Sequence, residues 1–192
     1  MNKTLLSAAL VAATGFAAMA PHSAFASDGK ITFTGEIMDV TCTIHPGNGT
    51  TPGAGNDFTV ALDPVGKGSL PMGASAKTKA FFVTLGAPGE TGCTNGKTAW
   101  LTYDYNPVVV DSLTGALENQ VAGGSNVQVR LKNKNGGVIN LAADTGNTKL
   151  DSGVLIAGNT ALLEYAAEYY AAKAAATPGL VSTWVTYSVA YN

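Results

Sequence analysis

An all-β chain folded as an antiparallel sandwich is the class this sequence predicts, and three observations predict it. Short runs in which apolar and polar residues alternate recur along the chain, and period two means a strand with two unlike faces. Clusters of Gly, Pro and Asn separate those runs, which is the chemistry of turns. Of the 192 residues 46% are hydrophobic and only 12% charged, roughly half the ~25% charged usual in soluble domains. Many short strands at this spacing fit one sandwich domain with a sizeable core.

Each element follows from its own pattern. Ile31, Phe33, Gly35 and Ile37 alternate with Thr32, Thr34 and Glu36. Phe58, Val60 and Leu62 alternate next, then Phe81, Val83 and Leu85, with Trp100 to Tyr105 and the run Val127, Val129, Leu131 after them. Val185, Tyr187, Val189 and Tyr191 alternate with Trp184, Thr186, Ser188 and Ala190 at the end. The turn clusters are Pro46-Gly47-Asn48-Gly49, Pro52-Gly53-Ala54-Gly55-Asn56, Asn135-Gly136-Gly137 and Thr177-Pro178-Gly179. The stretch 46–56 reads as a long loop inside one domain. Residues 161–176 stay ambiguous. Their Ala content and the shared face of Leu162, Ala166, Tyr169 and Lys173 fit a helix, while Leu163, Tyr165, Ala167 and Tyr169 alternate as a strand.

Residues 1–26 read as a secretory signal peptide. Lys3 supplies the positive start, 4–20 is an uncharged Ala-rich stretch, and Ala24-Phe25-Ala26 is a small-x-small cleavage pattern. A cut after Ala18-Met19-Ala20 is the alternative and would leave Pro21 first. As a membrane anchor the run is a little short and too rich in Ala, and no second segment approaches spanning length, so no membrane insertion of the mature chain is expected. Export suits the two cysteines, Cys42 and Cys93: an oxidising compartment and one disulfide, with two free thiols as the alternative. Closing a loop of about 50 residues stabilises a fold by ~4 kcal/mol in the chain-entropy model.

Catalytic equipment is scarce. Once His22 leaves with the signal segment, His45 is the single histidine, and it precedes Pro46 at the lip of the Gly-rich loop. Two Cys and one His lack the paired spacing of a zinc site, so neither metal nor cofactor is expected. Gly96-Lys97-Thr98 is out of register for a phosphate loop, which needs a glycine where Thr91 stands. No nucleophile elbow occurs. Asp104 with Asp111, or Glu164 with Glu168, could pair for acid–base work, but solvated positions are their default. Asn48-Gly49-Thr50 is a sequon that is also a turn. A net charge of −2 leaves no electrostatic footprint for nucleic acid or an anionic membrane. The expected class is not an enzyme.

The two ends are the informative parts. An amphipathic strand stands ahead of the first cysteine, with Gly35 interrupting its apolar face, which marks close approach of another group. A second alternating strand runs to the last residues. Either both are ordinary first and last strands, or one completes a sheet in a neighbouring molecule. At this point Ser27-Asp28-Gly29-Lys30-Ile31-Thr32-Phe33-Thr34-Gly35-Glu36-Ile37 followed by Cys42-Thr43-Ile44 resembles the N-terminus of type 1/P-type fimbrial subunits, the pilins of the bacterial chaperone–usher pathway. Leu163 onward (L-E-Y-A-A-E-Y-Y-A), Thr177-Pro178-Gly179 and the ending V-T-Y-S-V-A-Y-N, with its penultimate tyrosine, carry the same likeness over the mature chain.

That resemblance implies an incomplete immunoglobulin-like β-sandwich lacking its last strand and completed by a donor strand from a neighbouring subunit. It implies residues 27–37 as the donor-strand extension and 38–192 as the pilin domain. Ile31, Phe33 and Ile37 would be the inserted side chains and Gly35 the small residue between them. Val185, Tyr187, Val189 and Tyr191 would line the groove and dock the chaperone. Cys42 and Cys93 would form the family's disulfide, and the segment from Leu163 to Tyr170 would be a strand. Implied partners are identical or related pilins, a periplasmic chaperone and an outer-membrane usher, and the place is a fimbria on the cell surface. A minor or adaptor subunit, or a self-contained periplasmic sandwich that binds something, are the alternatives.

Overall fold

Alternation is realised as paired strands wherever a neighbour is present. The computed structural model describes Thr32 and residues 41–192. The signal segment 1–26 and the donor residues Ile31, Phe33, Gly35 and Ile37 lie outside the described residues. The chain divides into two units, Met1–Ile37 and Met38–Asn192, and the strands belong to the second. In chain order they are β1 (Ile44–Pro46), β2 (Thr51–Pro52), β3 (Phe58–Thr59), β4 (Ser75–Gly86), β5 (Thr98–Tyr103), β6 (Leu117–Glu118), β7 (Gln128–Asn133), β8 (Val138–Ile139), β9 (Val154–Leu155), β10 (Thr160–Tyr170) and β11 (Tyr187–Tyr191).

All pairings are antiparallel. One sheet runs β1-β4-β10-β7-β6, with β8 also on β7; the second runs β11-β5-β9; β2 and β3 form a separate small pair. The inner faces meet on Val83, Leu85, Leu101, Leu163 and Tyr165, all buried. Tyr165 ties the layers with a polar contact as well, because its hydroxyl accepts from the Leu101 N–H at 2.9 Å. A buried tyrosine needs such a partner for its polar tip. This is the all-β sandwich that the alternation predicts, and it agrees with the incomplete immunoglobulin-like form that the resemblance implies.

The ambiguous segment resolves as strand β10. Ala161, Leu163, Tyr165 and Ala167 are buried on one face, and β4 and β7 pair along its two edges. Two ladders outweigh the helical propensity of alanine, which is a weak prior against tertiary pairing. Opposite Glu168 the register with β4 shifts, and Lys77 there takes a φ of 58°. Such a bulge re-aims a side chain: the Thr78 hydroxyl donates to Glu168 Oε2 at 2.5 Å.

Cys42 and Cys93 form a disulfide across a separation of 51 residues. Thr43, next to Cys42, donates from its N–H and its hydroxyl to the Glu90 carboxylate, each at 2.7 Å, and those bonds hold the Glu90 pKa below its ordinary value. Gly86 closes β4 beside the bridge at φ 69°. A Cβ there would stand 2.2 Å from the Asn159 carbonyl oxygen and 2.6 Å from Cys93 Sγ, so only glycine fits.

Three expectations need correction. The stretch 46–56 is only partly a loop: Gly47 N–H donates to Phe82 O and Phe82 N–H to Asn48 O, so pairing with β4 continues past β1. The alternating run Phe58, Val60, Leu62 pairs only at Phe58–Thr59, because the rest has no neighbouring strand among the described residues. Glu168 and Asp111 are not solvated but buried, each held by a cation and further hydrogen bonds. His45 sits exposed in β1 opposite Thr84. Gly96-Lys97-Thr98 is the turn into β5.

Candidate functional site

Among the described residues, β11 is an edge strand of its sheet. In register with β5, Asn192 and Thr98 exchange both backbone hydrogen bonds, at 2.8 and 2.9 Å. Hydrogen-bonded and non-hydrogen-bonded pairs alternate in an antiparallel ladder. Residues 190 and 188 therefore bond β5, while the N–H and C=O groups of Tyr187, Val189 and Tyr191 point the other way. No backbone group meets them there among the described residues. The same three residues stand opposite Tyr103, Leu101 and Ala99 and pack against the core half-buried. One strand thus presents apolar side chains and unpaired backbone groups from the same positions.

Across the gap lies the stretch Asn56 to Leu62. Val60, Ala61 and Leu62 have no backbone hydrogen bond among the described residues, and Phe58, Val60 and Leu62 turn half-buried sides to the core. Between this wall and the Val181–Tyr187 stretch runs a groove of about 880 Å³. Its floor is Phe81, Leu117, Val129, Leu131, Ala167 and Tyr169 from the six-stranded sheet. Val185 and Tyr187 line it, and Val189 and Tyr191 continue the same face past its end. Of the four residues expected from the last strand, Val185 and Tyr187 line the cleft and Val189 and Tyr191 do not, and Val185 precedes the strand proper.

The groove is aromatic and nearly uncharged. Phe58 lies 6.0 Å from Phe81 and 5.5 Å from Tyr187, ring centre to ring centre, and Tyr165 lies 6.0 Å edge-on to Tyr103. Burial pushes the Tyr103 hydroxyl pKa well up, and burial raises Tyr187 and Tyr169 too, helped by Asp57 and Asp63 respectively. These phenols stay neutral across the physiological range. The buried hydroxyls of Tyr103 and Thr183 have no hydrogen-bond partner among the described residues.

The facing wall Phe58, Val60, Leu62 was visible as an alternating run but not as a wall. Its role depends on what lies across from it, which no local pattern states. The same holds for two ionic clusters. Glu168 receives Arg130, at 2.9 Å from Nε to Oε1, with Lys132 at 3.5 Å. Burial raises the Glu168 pKa, but the Thr78 and Arg130 hydrogen bonds outweigh it and leave the carboxyl below its ordinary value. Asp111 receives Lys173 and Gln128. Both clusters are ion-paired structural contacts. Among the described residues no group of three or more His, Cys, Asp or Glu could hold a metal ion, and no helix is long and apolar enough to cross a membrane.

Comparison with known proteins gives a consistent set. The chain is 41% identical over 181 residues to the major fimbrial subunit SMF-1 of Stenotrophomonas maltophilia, covering 91% of this chain and 99% of that protein. It is 34% identical over 182 residues to the F17 fimbrial protein of Escherichia coli, covering 92% and 94%. Among solved structures, the P pilus rod subunit PapA matches with a TM-score of 0.54 at 18% identity, covering 79% of this chain and 99% of that one. A chaperone–usher pilus structure matches with a TM-score of 0.55 at 18% identity, covering 86% and 96%. No protein-family model matches the chain.

Proposed function

The chain belongs to the fimbrial subunit family, and we propose that its groove is the acceptor site through which it polymerises head-to-tail, taking the N-terminal strand of a neighbouring copy. The protein is a structural pilin subunit of a fimbria on the bacterial surface, and neither a minor subunit nor a self-contained binding domain is favoured. The observation that carries the acceptor reading is the edge of β11, which has no partner strand among the described residues, with Tyr187, Val189 and Tyr191 offering side chains and backbone groups together, opposite a wall whose Val60, Ala61 and Leu62 are likewise unpaired among the described residues. An edge of this kind templates strand addition.

Residues 27–37 are the matching piece, a domain extension whose Ile31, Phe33 and Ile37 alternate on one side with Gly35 between. Burying three such side chains contributes roughly 1.5–3 kcal/mol each, and ladder hydrogen bonds about 1 kcal/mol apiece net. The total is on the order of 10 kcal/mol before ordering costs. Donor and acceptor are different surfaces of one molecule, so the contact is heterologous and grows an open filament. Until a neighbour arrives, the same groove would aggregate if left bare, which is the physical reason for a periplasmic chaperone on the Val185, Tyr187, Val189, Tyr191 side and for an usher to exchange the two. Residues 1–26 serve as the export signal in this reading.

Deleting residues 27–37 after the cleavage site tests it. The variant should accumulate as a subunit that can accept but not donate, and electron microscopy of sheared surface fibres should find none built from it. Normal fibres from that variant would rule the reading out.

A further inference from the structure

Tyr187 touches both walls of the groove. Its backbone belongs to β11, while its hydroxyl donates to the carbonyl oxygen of Asn56 on the far wall at 2.5 Å. Phe58, from that wall, packs on its ring. Beside it stands Tyr103, its cross-strand partner, whose buried hydroxyl has no hydrogen-bond partner among the described residues. The bridge therefore crosses the space an incoming strand has to occupy. It also takes up a backbone acceptor on the wall that such a strand would approach, so bridge and strand compete for the same place.

We propose that Tyr187 is a latch across the groove: its hydrogen bond to the Asn56 carbonyl holds the groove closed at that level, and a strand enters only after this side chain swings off. The proposal rests on the strand-uptake reading, and its occupant is residues 27–37 of a second copy. Tyr187 is a positioning residue that sets how fast the site fills. Opening the latch frees the Asn56 carbonyl and uncovers the Tyr103 hydroxyl, whose desolvation goes uncompensated in the closed groove. A bound strand would therefore gain from the open arrangement in two places.

Stopped-flow anisotropy with a labelled peptide of residues 27–37, in excess over the refolded full chain, reads the entry rate. Tyr187→Phe keeps the ring and removes only the bridge, so uptake should quicken about five-fold, the worth of one neutral hydrogen bond. Tyr105→Phe, outside the groove, should leave the rate unchanged. A purely structural tyrosine would shift the melting temperature without moving the uptake rate. Should Tyr187→Phe not fold, Tyr187→Leu also lacks the reach to Asn56 and should show the same acceleration. An unchanged or slower rate in a folded variant overturns the latch alone. A wild-type chain that takes up no peptide overturns the strand-uptake reading and the latch with it.

Discussion

Strands β10 and β11 carry the same kind of alternating sequence and finish in different states. Along β10, Leu163, Tyr165 and Ala167 are 0%, 1% and 4% exposed, with β4 on one edge and β7 on the other. Along β11, Tyr187, Val189 and Tyr191 remain half-buried, with β5 on one edge and none on the second among the described residues. The patterns of the two strands do not explain the gap between them. What differs is the number of neighbours, because a strand's apolar face closes only when strands on both sides shield it. The comparison identifies β11 as an unfinished version of β10.

Supplying the missing neighbour should erase the difference, and this is the largest effect to expect. A second copy of residues 27–37 joined behind Asn192 through a short flexible linker can fold back antiparallel on β11. With a gross gain on the order of 10 kcal/mol less the ordering cost, the melting temperature should rise by about 20 °C for a domain of this size. Calorimetry reads the rise, and slowed amide exchange at Tyr187, Val189 and Tyr191 locates it. A tandem chain that melts where the parent does would show that the bare edge of β11 is not an acceptor.

How much of this was legible in the residues follows from the same comparison. Period two marked β4, β5, β7 and β11, and the export signal made the Cys42–Cys93 pair readable as a bridge. Strand β10 was legible only through family resemblance, since Ala, Leu, Glu and Tyr satisfy a helix as well as a strand until β4 and β7 stand beside them. In the groove, β11 could be found because an alternating run at a chain end is conspicuous. The facing wall could not, because Phe58, Val60 and Leu62 form it by lying opposite Val185 and Tyr187, over a hundred residues away. Glu168 looked solvated for a similar reason: its cover comes from Thr78, Arg130 and Lys132 on two other strands, and a bulge in β4 delivers the first of these.

That cover makes the finished strand the place where a single substitution should hurt more. Glu168 is 2% exposed, and Glu168→Ala leaves the Arg130 and Lys132 charges facing each other without their carboxylate. Removing one partner of a buried pair costs about 3–5 kcal/mol, and the partial exposure of both cations puts the expected value near 3 kcal/mol, read from urea unfolding. The pH dependence has a definite sign. Because the folded pKa is lowered, this contribution is full above the ordinary carboxylate range and is lost as pH falls from about 4 toward the folded value. The wild type should therefore lose stability faster than Glu168→Ala on acidification. Parallel acid limbs for the two proteins would show that Glu168 is not ionised in the fold.

The smallest effect belongs to the ion pair that resembles this one on paper. Lys173 reaches both Asp111 Oδ2 at 2.5 Å and Glu118 Oε1 at 2.7 Å, and Asp111 is buried like Glu168, though less completely. Yet the Lys173 side chain is 58% exposed, so water replaces its partners readily when they are lost, and exposed pairs contribute at most about 1 kcal/mol. Asp111 also keeps other donors when Lys173 is removed. Gln128 Nε2 approaches at 2.9 Å, and the N–H groups of Leu113 and Thr114 donate at 2.8 and 3.1 Å. Lys173→Ala should therefore cost less than about 1 kcal/mol, with much of the loss screened away in molar salt. A cost near that of Glu168→Ala would mean that the cation itself anchors the stretch after β10, on the approach to the groove wall at Val181. The comparison between a finished strand and an open one would then have to include the segment that joins them.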